Sequence, residues 1–80
     1  MNWRDHIHSD PEIGHGKPIF RGTRFKVEFL LGLMGSGWDY DRIVAEYPEV
    51  RRDYLAAAAA FAAEIMHDED YVAIGKARAA

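Results

Sequence analysis

Eighty residues with a formal net charge of −3 and no cysteine make one small domain that has neither disulfides nor thiolate metal ligands to stabilise it. A chain this short buries only about 60–65% of the surface its unfolded form exposes, so association with a partner is the expected source of further stability. No apolar run approaches the roughly 18 residues of a membrane span, and Met1–His6 lacks the apolar core of a signal peptide, which predicts a cytoplasmic protein.

The charge is unevenly placed. From Ile13 to Val27 the chain carries Lys17, Arg21, Arg24 and Lys26 with no acidic residue, whereas the rest holds six basic residues against thirteen acidic ones. A local basic patch of this kind can meet phosphates or an acidic protein surface, but the acidic remainder opposes strong nonspecific binding of nucleic acid by a lone monomer.

In chain order, residues 1–25 read as a β-containing arm. His6-Ile7-His8, Pro18-Ile19-Phe20 and Thr23-Arg24-Phe25 are three short strands. They are separated by turn chemistry at Ser9-Asp10-Pro11, Gly14-His15-Gly16-Lys17-Pro18 and Arg21-Gly22-Thr23. Strands this short must lean on the helices or pair with another chain. Residues 26–68 read as three helices. The first starts near Lys26, with Val27, Leu30, Leu31 and Met34 on one face and Phe29 and Leu33 flanking it. Gly32 within it weakens the helix, which suggests close approach by another helix. Gly35-Ser36-Gly37 supplies its left-handed stop. Asp39 caps the second helix, which turns Ile43, Val44 and Tyr47 inward and ends at Pro48.

The third helix spans about Arg51 to Asp68. Tyr54, Ala58, Phe61 and Ile65 form one apolar stripe, and Leu55, Ala59, Ala62 and Met66 form a second. Together they cover roughly 160° of the helix, more than the ~100° a one-sided surface helix needs. One stripe is expected to pack the core and the other to meet a partner, with Tyr54 and Phe61 as aromatic anchors. In the tail, residues 69–80, the β-rich Tyr71-Val72-Ala73-Ile74 can add as a strand to a partner's sheet edge.

Several motifs stand in a fixed order. Asp10-Pro11-Glu12-Ile13 is followed by Gly16-Lys17-Pro18-Ile19-Phe20-Arg21-Gly22-Thr23-Arg24-Phe25. Gly37-Trp38-Asp39, Ile43-Val44-Ala45-Glu46-Tyr47-Pro48 and an Ala-rich helix ending Phe61-Ala62-Ala63-Glu64 come next. This series, from Trp3 to Met66, resembles the domain of unknown function 433 family. The resemblance implies a mostly α fold: a three-helix, homeodomain-like helix-turn-helix bundle with a small N-terminal β-hairpin element. It also implies an antitoxin, some VapB-type antitoxins being similar, whose partner is a PIN-like nuclease toxin. The chain departs from the family pattern at His15, where a Gly-Gly pair is usual, at Lys26 in place of Pro, and at Arg51 in place of a capping Thr or Ser.

Catalysis is not expected. His6, His8 and His15 lie near Asp5 and Asp10, but nothing in the spacing fixes a third metal ligand. Ser9 and Ser36 have no evident base, and Gly14-His15-Gly16-Lys17 is too short for a phosphate loop. No cofactor is implied. For DNA, the opening turns of the third helix offer Arg51 and Arg52, with Lys17 and Lys26 as phosphate contacts; operator binding by a dimer is the lesser expectation. For the toxin, whose active site is a carboxylate cluster around metal, Arg21, Arg24 or Arg78 is the expected guanidinium, with Tyr54, Phe61, Tyr71, Val72 and Ile74 as apolar contacts. A stand-alone helix-turn-helix regulator and a structural homodimer are the alternative readings.

Overall fold

The computed structural model describes residues 1–68. A 3-10 turn at Trp3–Asp5 leads into β1 (Ile7–Asp10) and β2 (Ile13–Phe20), and then into α1 (Val27–Gly35), α2 (Tyr40–Glu46) and α3 (Arg52–Asp68). The result is mostly helical, with three helices and one two-stranded antiparallel hairpin. None of these helices is long and apolar enough to cross a membrane.

The hairpin turns earlier than its glycines suggest. Asp10 Oδ1 accepts a hydrogen bond from the Glu12 backbone N–H at 2.9 Å, so a side-chain turn at Pro11-Glu12 joins the strands. Ile7 then pairs with Phe20, His8 with Ile19 and Ser9 with Pro18, while Asp10 pairs with Ile13. Residues 14–17 are left over as an excursion of β2. Its backbone is left-handed at three consecutive residues, with φ of +60° at Gly14, +59° at His15 and +79° at Gly16. The Gly-rich segment expected as an inter-strand turn is therefore a bulge within a strand. Lys26 explains part of it, because a Cβ on Gly14 would stand 3.1 Å from Lys26 Cε. The glycine leaves room for the apolar stem of Lys26 to lie across the bulge.

The expected third strand at Thr23-Arg24-Phe25 does not form. The Thr23 hydroxyl donates to the Phe20 carbonyl at 2.8 Å and accepts from the Phe25 N–H at 3.0 Å. These local bonds close a turn in place of a ladder, and a single bridge, Ile19 to Lys26, follows it.

The helices begin and end where their capping chemistry dictates. Asp39 accepts a hydrogen bond from the Arg42 N–H at 2.9 Å at the start of α2. α1 closes with the Ser36 N–H bonded to the Gly32 and Leu33 carbonyls, and Gly37 follows at φ +90°. The core lies between the hairpin and the helices: Ile7, Phe20, Val27, Leu30, Ile43, Val50, Tyr54, Ala57 and Ala58 pack together there. Ile7 and Phe20 bring the arm into this core, so it is not an appendage. Ala57 and Ala58 are fully buried, so their small side chains let α3 lie close to the body.

Two expectations about helix surfaces are corrected. Gly32 is exposed, and a Cβ placed there would meet nothing within 4 Å, so no other helix of the described residues approaches it. Tyr54 is only 6% exposed and stacks face to face on Phe20, with centroids 4.1 Å apart and planes 1° from parallel. Its ring is occupied inside the chain and is not open to a partner. Phe61 is half-buried with its ring 4.8 Å from that of Trp3 in a T-shaped contact, so much of its surface is also taken up internally.

Candidate partner-binding surface

Where α1 leaves the loop after β2, four aromatic side chains come together in stages. Phe20 and Phe25 meet in the interior at 6.3 Å. Outward from Phe25 stand Phe29 at 5.5 Å and Tyr47 at 5.5 Å, which themselves meet edge to face at 5.3 Å. Such geometry sets the positive edge of one ring against the negative face of the next and fixes each ring. Phe29, the outermost, remains 44% exposed. The residue one position on, Leu30, is fully buried, so α1 turns its inward face to the core and presents Phe29 outside.

Two open grooves meet at this ring. One, of about 380 Å³, is lined by Phe25, Phe29 and Tyr47 with Arg24, Lys26 and Glu49 at its lip. The other, of about 470 Å³, runs along α1 past Glu28, Gly32, Leu33 and Ser36 and shares Phe29 and Lys26 with the first. The glycine that weakens α1 therefore lines a groove. A second exposed apolar region is the end of α3, where Ile65 is 40% and Met66 58% exposed; of the expected second stripe, Leu55 and Ala62 are half-buried while Ala59 and Met66 face outward.

The basic residues separate by what they already hold. Lys17 Nζ donates to Glu28 at 2.9 Å, and this bond, with the attraction of the Lys17 charge, holds the Glu28 carboxyl below its ordinary range. Arg21 donates through Nε to the Arg4 carbonyl at 3.0 Å, anchoring the N-terminal turn. Arg24 is exposed and enters no ion pair among the described residues. Of Arg21 and Arg24, the expected toxin-facing arginines among the described residues, Arg24 is the one set beside open apolar surface. Arg78, Tyr71, Val72 and Ile74 lie outside the described residues.

The residues named for DNA do not converge as well. Arg51 and Arg52 are exposed at the start of α3, but Arg51 faces Asp53 at 3.7 Å and the Arg52 guanidinium lies 4.2 Å over the Tyr40 ring. Lys17 and Lys26 sit with the hairpin bulge and α1. No group of three metal-ligating side chains gathers among the described residues.

Tyr47 packs against the core as its spacing predicts, and Phe29 flanks the inward face of α1; what sequence reasoning misses is that Phe29, Tyr47 and Gly32 line adjoining open grooves. The available signal was an aromatic at a flanking position one turn before a helical glycine, next to the basic run.

Compared with protein families, residues 7–62 match the model of a family described as protein of unknown function (DUF433). None of the curated proteins and none of the solved structures matches the chain.

Proposed function

We propose that this chain, which belongs to the family described as protein of unknown function (DUF433), is an antitoxin that binds and neutralises a PIN-like ribonuclease. The observation that carries the reading is Phe29, a large ring left 44% exposed and held in place at the lip of a groove beside the exposed Arg24. A rigid aromatic next to an uncommitted guanidinium is the chemistry of a protein interface. Guanidinium pairs bidentately with carboxylate, and carboxylates line the metal site of such a nuclease. Binding would also cover apolar surface that a chain this small leaves open.

A second reading, operator binding by a dimer, is favoured by Arg51 and Arg52 at the exposed start of α3. In it α2 and α3 are the two helices of a homeodomain-like helix-turn-helix. The acidic side chains Asp39, Asp41 and Asp53 around them weaken it, because they repel the phosphate backbone.

The test is expression of the neighbouring reading frame alone and together with this chain. Growth arrest relieved by co-expression, with the two products co-purifying, supports the antitoxin reading; arrest that persists at equal expression removes it. A gel shift of upstream DNA at low salt decides the operator reading, and its absence there would end that reading.

A further inference from the structure

We propose that the groove along α1 receives an acidic segment of a protein partner, one large apolar side chain of which packs against Phe29. This deepens the reading that the chain works by holding another protein, and rests on it. Three observations carry it. The first is rigidity: Phe29 is braced edge-on by Phe25 and Tyr47, so a partner loses little by ordering it. The second is shape. The two grooves join at Phe29 and Lys26, and Gly32 leaves open the space one helical turn onward where any other residue would place a side chain. The third is charge. Glu28 is matched by Lys17, which leaves Arg24 and Lys26 facing the lone carboxylate of Glu49 across the lip. The surplus is positive on a chain whose net charge is −3, so the local field favours an acidic ligand.

Other occupants fit less well. Nucleic acid would lay its phosphates along walls formed by Phe25, Phe29 and Leu33, which offer them no hydrogen bonds. A small metabolite would lie in an open trough, where binding sites for small molecules normally enclose most of the ligand.

Panning a phage-displayed library of random short peptides over the whole immobilised chain tests the proposal. Enriched sequences should carry acidic residues around a large apolar one, and a synthetic representative should bind at least about tenfold more weakly to Arg24→Glu and to Gly32→Glu. The second variant guards against loss of folding, because any non-proline residue favours an exposed helix over glycine while its side chain fills and charges the groove. No enrichment, enrichment without acidic bias, or equal binding to Gly32→Glu would overturn the proposal. So would a second copy in the groove, seen as a wild-type dimer that Gly32→Glu dissociates. The two readings fail separately: a Gly32→Glu chain that neutralises the nuclease as well as wild type removes the groove alone, whereas a wild-type chain that never neutralises it removes the antitoxin reading.

Discussion

Arg4 and Glu64 lie sixty residues apart and meet through both ends of their side chains: Nη2 stands 2.6 Å from Oε2 and Nη1 3.3 Å from Oε1. Next to this fork, Trp3 sets its ring against Phe61, and the Arg4 guanidinium also lies 4.3 Å over the Trp3 ring. The N-terminal turn thereby straps down the second half of α3. Arg4 holds the Glu64 carboxyl below its ordinary range, the hydrogen bond being the largest cause.

A depressed carboxyl contributes stability above its unfolded pKa and loses it as pH falls through its folded value. Wild type is therefore expected to lose unfolding free energy steadily across the acid range, from about pH 5 downward. Glu64→Gln should show a shallower loss, with the Glu28 pair supplying part of what remains. Urea midpoints at a series of pH values measure both slopes, and parallel curves would mean that the strap has no electrostatic part.

Tyr54→Ala should be severe. Removing the ring leaves a void against Phe20 in the centre of the core, and such truncations cost about 3–5 kcal/mol, a large share of what a small domain has. Tyr54→Phe keeps the stacked ring and should stay close to wild type. Thermal unfolding followed by circular dichroism separates the two; equal losses would place the importance in the hydroxyl.

Asp39→Ala removes the acceptor for the Arg42 N–H and is expected to cost about 1 kcal/mol. Asp39→Asn or Asp39→Ser retains an acceptor and should recover most of it. An undiminished denaturation midpoint in the alanine variant would show that α2 is held by its burial of Ile43 and not by its cap.

His15→Gly should stabilise the chain. His15 holds a left-handed backbone between two glycines that do the same, and a side chain there is strained by roughly 1–2 kcal/mol. Glycine's greater freedom when unfolded offsets part of the gain, leaving about 0.5–1 kcal/mol. Gly14→Ala should destabilise, both through its φ and through contact with the Lys26 stem. Chemical denaturation of both variants tests whether the bulge is rigid.

The helices were legible because their signals are local. Asp39 caps at a fixed distance from Arg42, Gly35-Ser36-Gly37 stops α1, and the apolar spacing marks α3 to within a residue. The hairpin was legible in kind but not in register, since Gly14-His15-Gly16 has the same composition whether it turns a chain or bulges within a strand. The destination of the α3 aromatics was not legible. Periodicity gives the face on which Tyr54 and Phe61 stand, but what covers them, Phe20 and Trp3, comes from the far end of the chain. For the same reason Arg21 and Arg24 looked alike until the Arg4 carbonyl claimed one of them.

The strap also orders events during synthesis. Trp3 and Arg4 are made well before Phe61 and Glu64, the residues they grip, and Phe20 waits for Tyr54 in the same way. The Ala-rich helix can coil as soon as it emerges, but the hairpin has nothing to close upon until then. A nascent chain halted before α3 would carry its central phenylalanine bare, so this domain completes its tertiary structure only once α3 has been made, and a fragment stalled earlier exposes apolar surface of the kind that aggregates.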